Sequence, residues 1–235
     1  GCDQNVWRHI TPDFEKDWRI VLFDHIGAGK SDLSRYEPQR YSTLQGYADD
    51  LIAIVRELEL QEVTVVGHSI SAMIAVLAAV KEPALFAKLV LVGPSPCFLN
   101  DGDYRGGFER KDIDDLLAAM DSNFFGWSSM ITPVIMGNPD RPELANELNE
   151  NFCRTDPSIA RQFARVTFLS DCRAELGQLR VPALILQCTA DALAPLEVGE
   201  YLLAQLPGST LTVMEAAGHC PHLSEPAELI EAMKD

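Results

Sequence analysis

The sequence predicts an α/β fold: a doubly wound, mostly parallel sheet carrying a four-helix cap, or lid. Three observations lead there. Short apolar runs rich in valine, isoleucine and leucine alternate with segments of helical period, as strands buried on both faces of a parallel sheet require. One long stretch, from about Asn100 to Asp171, contains helical patterns and no strand-like run. And at Gly67-His68-Ser69-Ile70-Ser71 a β-branched run turns within a few residues into a helix.

In chain order, Gly1–Asp17 reads as a loop and a short helical stretch, with Trp7 and Phe14 as the inward residues. Trp18–Asp24 reads as a buried strand ended by Asp24, whose expected role is to cap the following loop of Gly27 and Gly29. That loop is no phosphate-binding loop, because its glycine spacing is wrong and no helix starts at Lys30-Ser31. Thr43–Leu60 is helical, with Leu44, Tyr47, Leu51, Ile54, Val55 and Leu58 on one face. Val63–Gly67 is a strand and Ala72–Val80 a helix. Lys88–Gly93 is another buried strand, after which Pro94 and Pro96 break the alternation. Four helices follow: Glu109–Met120, Phe124–Met136, Pro142–Phe152 and Pro157–Leu169. The last has a strong start signal, Asp156 as N-cap before Pro157. Strands resume at Ala183–Gln187 and Leu211–Glu215, with helices at Glu197–Gln205 and Ala227–Lys234. The expected division is a core of residues 1–97 and 172–235 with the cap, residues 98–171, inserted in it.

Composition narrows the function classes. The 235 residues suffice for a substantial core, and 47% apolar with 23% charged content is an ordinary globular balance. A net charge of −16 without a Lys/Arg cluster argues against nucleic acid and anionic membrane surfaces as partners. Six scattered cysteines (Cys2, Cys97, Cys153, Cys172, Cys188 and Cys220) show neither C-x-x-C pairs nor zinc-ligand spacing, so no metal is expected, and reduced thiols in a cytoplasm fit this usage.

The Gly67–Ser71 turn has the pattern of a nucleophile elbow, G-x-S-x-G, with Ser71 in place of the last glycine. Small residues flank such a serine because neighbouring backbone passes close by, and serine is still small. A serine hydroxyl needs a base, and the base needs a carboxylate to fix its tautomer. On a parallel sheet these groups belong just after strand ends. Asp191 follows Ala183–Gln187 and His219 follows Leu211–Glu215, which gives the chain order Ser69…Asp191…His219. Ordinary roles compete: Asp191 as a helix cap, though Pro195 places it too early, and His219 as a satisfied loop histidine. His222, one turn later, competes as base. A Cys220/His219 dyad is disfavoured because adjacent loop residues usually point apart. His68 is expected to be packing.

At these residues the sequence resembles the RsbQ family of bacterial α/β-hydrolases, relatives of the plant karrikin and strigolactone receptors. The resemblance is carried by Gly1-Cys2-Asp3-Gln4-Asn5-Val6-Trp7, Gly67-His68-Ser69-Ile70-Ser71-Ala72-Met73-Ile74, Val92-Gly93-Pro94-Ser95-Pro96-Cys97, Asp156–Ala164 and Gly218-His219-Cys220-Pro221-His222. It implies the α/β-hydrolase fold, a lid of four helices over an apolar pocket, and hydrolysis of small esters or lactones without a cofactor. Because members of that family act in stress signalling with a protein partner, or sense and cleave a small butenolide, it also implies a signalling role. In the family a strand ending in His-Gly-Phe-Gly precedes Cys2, and this sequence opens on the last of those glycines. The expectation is therefore that further residues lie ahead of Gly1, filling a slot in the sheet between Trp18–Asp24 and Val63–Gly67. They would also supply one oxyanion donor, the other being the Ile70 N–H.

The resulting expectation is a carboxylesterase-like serine hydrolase that works through Ser69, His219, Asp191 and an acyl-enzyme on a small apolar substrate. Cap residues Phe98, Phe124, Phe125, Trp127, Met130, Phe163 and Phe168 are the candidate pocket lining, with ordinary lid core as their alternative role. A different class of function shares the same residues: a ligand-sensing regulator of slow or single turnover that binds a protein partner. A dehalogenase is disfavoured by serine at the elbow, whereas a cofactor-free haloperoxidase or a C–C bond hydrolase would use the same triad.

Overall fold

A computed structural model describes residues 1–234. Its sheet has four strands, β1 (Val63–His68), β2 (Phe86–Val92), β3 (Ala183–Ala190) and β4 (Ser209–Ala217), all parallel and paired in that order. Alternate residues of β2 and β3 feed two cores. Leu89, Leu91 and Ile185 point to one face, packed with α1 (Leu44–Glu57), α2 (Ile70–Lys81) and α8 (Leu196–Gln205). Val90, Val92, Leu184 and Leu186 point to the other, packed with α10 (Pro226–Lys234). Both faces are thus covered, which is why these runs are apolar throughout rather than alternating.

α2 is buried nearly all round, with Ala72, Met73, Ala75 and Val76 inaccessible to solvent. Such a helix has no polar stripe and serves as the pillar beneath the elbow. α1 is amphipathic: Leu44, Tyr47, Leu51 and Val55 are buried, while Leu58, beyond its last turn, is exposed.

Between β2 and β3 the chain makes its excursion. The base is closed where Cys97 bridges Asp171 and Cys172 N–H donates to Pro96 O at 2.8 Å. The excursion holds α3 (Arg110–Ser122), α4 (Phe124–Met136), α5 (Pro142–Cys153) and α6 (Pro157–Leu169), followed by the single turn α7 (Arg173–Leu176). Their ends follow from capping chemistry. Glu109 and Asp112 form a capping box at α3, Asn123 Oδ1 accepts from Gly126 N–H at α4, and Asp156 accepts from Ser158 and Ile159 at α6. Ile113, Leu117, Met120, Phe124, Trp127 and Ala164 form the core of this layer. A last turn, α9 (Pro221–Ser224), precedes α10.

One expectation is corrected. Trp18–Asp24 is not a strand: it makes no ladder with β1, and Trp18 is 54% exposed. A strand exists only through its hydrogen-bonded neighbour, and among the described residues none lies beside this run. Instead Val21, Leu22 and Phe23 share a cavity with Val65, Val66 and Gly67. Near the N-terminus two short 3₁₀ turns stand in place of the expected helical stretch; Trp7 and Phe14 do pack inward, half-buried against the core, and Val6 and Ile10 are buried beside them. Asp24 does hold its loop, with Oδ2 accepting from Lys30 N–H at 2.8 Å and Oδ1 from Gln4 N–H at 2.7 Å.

Candidate active site

β1 ends at His68 and α2 begins at Ile70, leaving one residue for the whole turn. Ser69 takes it with φ 56° and ψ −125°, a conformation sparsely populated by non-glycine residues. Its N–H is anchored to Val92 O at the end of β2, 2.8 Å away. Gly67 is required by crowding. A Cβ there would lie 2.6 Å from Ser71 O and 2.8 Å from Ala72 N. Ile70 and Ser71 open the helix, so their N–H groups belong to the set that has no intrahelical partner.

The ends of β3 and β4 bring up the other two groups. Asp191 Oδ1 accepts from Leu193 N–H at 2.8 Å and Ala194 N–H at 3.1 Å. Its Oδ2 accepts from His219 Nδ1 at 2.7 Å, with both side chains almost wholly buried. A carboxylate can only accept, so the Nδ1–H tautomer is fixed and Nε2 is left as the acceptor. Ser69 Oγ stands 2.7 Å from that Nε2. Gly93 lies against the pair in a left-handed conformation, φ 52°, that residues with a side chain rarely adopt.

The competing histidine is placed elsewhere. His222 is buried, stacks on Trp7 with ring centroids 5.0 Å apart, and burial pushes its imidazole down to about 3. His68 packs edge-on to His222, and its Nε2 donates to His219 O at 2.6 Å. Desolvation holds it well below the usual histidine range. The Cys220 thiol is likewise raised by burial and makes no dyad with His219, whose ring nitrogens are both engaged.

Ser69 and His219 open into a cavity of about 300 Å³ bounded by the helices of the excursion, the elbow and the N-terminal turn, and continuous with the space between Val21–Phe23 and the β1 residues Val65–Gly67. Of the candidate lining residues, Phe124, Trp127, Phe163 and Phe168 face it, and Phe98, Phe125 and Met130 do not. Helical phase explains the correction. Phe124, Trp127 and Ile131 share one side of α4, which turns Phe125 and Met130, 56% and 61% exposed, toward solvent. Phe98 is buried instead against Phe168, with centroids 5.1 Å apart. Lining residues that sequence reasoning missed include His25, Ser71, Ile131, Phe152 and Thr167. His25 Nε2 lies 3.2 Å from Ser71 Oγ, and burial lowers its imidazole to about 4. A polar partner for Ser71 was the available signal, given that this serine replaces a glycine. The oxyanion donor expected ahead of Gly1 lies outside the described residues. Among the described residues no group of three or more His, Cys, Asp or Glu side chains could hold a metal ion, and no helix is long and apolar enough to cross a membrane.

Comparison with known proteins agrees with this architecture. The model of the alpha/beta hydrolase family matches residues 1–232. A probable esterase of Oryza sativa subsp. japonica is 42% identical over 99% of this chain and 86% of its own. A strigolactone esterase of Arabidopsis thaliana is 40% identical over 100% of this chain and 88% of its own. A Petunia hybrida protein named Karrikin insensitive 2 receptor CA is 41% identical over 99% and 87%. Among solved structures, a hydrolase from Oleispira antarctica superposes with a TM-score of 0.97 at 41% identity, over 99% of this chain and 86% of that one.

Proposed function

The chain belongs to the alpha/beta hydrolase family, and from that premise we propose that it is a serine hydrolase acting on a small apolar ester or lactone. One observation carries the proposal: the continuous hydrogen-bonded line from Ser69 Oγ through His219 to Asp191, at the wall of an apolar cavity. Ser69 Oγ attacks the carbonyl carbon while His219 Nε2 takes its proton. Asp191 keeps His219 in the productive tautomer and stabilises the imidazolium. The oxyanion is held by Ile70 N–H, reinforced by the positive end of α2. His219 then gives the proton to the leaving alkoxide, forming an acyl-enzyme and an alcohol. In the second half, water attacks the acyl carbon with His219 again as base, releasing the acid and free Ser69. No step calls for a cofactor.

The excursion of residues 98–171 acts as the lid that keeps this site apolar and dry, and a cavity near 300 Å³ sits at the small end of ligand pockets. Free cysteines fit a reducing compartment such as the cytoplasm. A second reading is favoured by the relatives' names, which include a receptor as well as esterases. On that reading the same site turns over slowly and ligand binding alters the surface offered to a protein partner. Kinetics with p-nitrophenyl acetate separates them: many fast, saturable turnovers support the enzyme, one or few turnovers with ligand-induced thermal shifts support the sensor.

The test of the base assignment is a pair of variants. His219→Ala is expected to lower kcat by about a thousandfold or more, and His222→Leu by less than about tenfold. Equal losses, or the reverse order, would contradict it.

A further inference from the structure

The C-terminal end of α4 is joined to the His219 loop by main-chain contacts that leave no room for slack. His219 N–H donates to Ile135 O at 2.8 Å. That carbonyl is one of the last four of α4, which have no partner inside the helix. The next one, Met136 O, accepts from Asn138 Nδ2, and the same amide nitrogen reaches Ala217 O at 3.1 Å. Gly137 (φ 61°) and Gly218 (φ 87°) are the touching points. A Cβ on Gly218 would fall 1.8 Å from Met136 O, and one on Gly137 2.8 Å from Gly218 Cα. Arg141 completes the joint. It donates to Asn138 Oδ1, to Ser224 O at 2.8 Å and to Glu225 Oε1 at 2.7 Å, so it ties the excursion to the end of α9 and orients the Asn138 amide. From the core side, His68 Nε2 donates to His219 O at 2.6 Å. The main chain of His219 is therefore gripped between lid and core, one polar group to each.

We propose that Asn138 and Arg141 are positioning residues for the base: they lock the end of α4 to the Ala217–His219 segment, so that the lid sets where the His219 imidazole stands. This rests on the reading of His219 as general base. The consequence concerns ligands. Phe124, Trp127, Ile131 and Ile135 of α4 line the cavity. A ligand that displaces α4 pulls directly on His219 N–H, and misplacing a catalytic group by about 1 Å is enough to cost on the order of a hundredfold in rate. Lid position and base alignment are one coordinate.

The experiment compares Asn138→Ala and Arg141→Met with the unaltered full chain and with Val134→Ala, a change on the exposed side of the same helix. Two quantities are read well below each variant's Tm: kcat and KM for p-nitrophenyl acetate, and the downfield proton NMR signal of the Nδ1–H shared with Asp191, assigned by its loss in His219→Ala. The expected result is a fall in kcat of about ten- to a hundredfold with KM changed less than about threefold, together with a shifted or broadened proton signal. Val134→Ala leaves both as they are. Arg141→Lys, which retains a donor, is expected to recover part of the loss. If Asn138→Ala and Arg141→Met lower Tm while kcat and the proton signal stay unchanged, the joint is merely structural and the proposal is overturned. Should the unaltered protein hydrolyse no ester, the hydrolase reading fails by that observation alone. The proton signal still decides the positioning proposal, an unmoved signal overturning it and a moved one supporting it.

Discussion

Ser69 stores strain because its neighbours forbid relaxation. Its backbone conformation costs about 1–3 kcal/mol, and it is held by the Val92 hydrogen bond on one side and the pillar helix on the other. Gly67→Ala would force the turn open, given the 2.6 Å approach to Ser71 O. The expected outcome is a Tm lower by several degrees and a kcat reduced by more than about tenfold, checked by thermal unfolding and steady-state kinetics. A second residue-scale prediction concerns acid. His222, at about 3, and His25, at about 4, are held below the ordinary histidine value of 6.5, in both cases first by burial. Between pH 6.5 and those values the unfolded chain binds protons that the folded chain refuses, so stability is full above 6.5 and falls as pH drops. From pH 6.5 to 5 each such histidine removes about 2 kcal/mol. His222→Leu should therefore show a shallower loss of Tm across that range. An unchanged slope would mean that His222 is protonated in the fold.

At the scale of elements, α4 decides both the cavity and its orientation, and it marks where sequence legibility stopped. Phe124–Met136 was readable to the residue as a helix, because Asn123 caps it and Gly137 ends it in a left-handed conformation. Which aromatics it turns inward was not, since FFGWSSMITPVIM is apolar on nearly every side and offers no polar face to set the phase. The Trp18–Asp24 run failed differently: apolar, β-branched composition states a demand for burial, and a ladder needs a partner that composition cannot supply. Asn138 and Arg141 carried no signal, because their partners stand some eighty residues away in the chain. The phase of α4 can be checked directly. Trp127→Phe, inside the cavity, is expected to change KM severalfold across a series of acyl chain lengths, while Phe125→Ala, on the outer side, should leave the series unchanged. Equal sensitivity at both positions would contradict the orientation.

At the scale of the molecule, the gathering of Ser69, Asp191 and His219 was legible because topology does most of that work. Parallel strands β1, β3 and β4 all end on one edge, so residues about 120 and 150 positions from Ser69 arrive beside it with no local signal beyond standing after a strand. The excursion between β2 and β3 then lies over the same edge and gives the site its apolar wall. The central claim, that this arrangement makes Ser69 a nucleophile, is tested most directly by intact and peptide mass spectrometry after exposure to a fluorophosphonate. One adduct per chain is expected, on the peptide that carries Ser69, forming far more slowly in His219→Ala and absent in Ser69→Ala. No adduct on the unaltered protein, or an adduct that persists when Ser69 is replaced, would contradict the account.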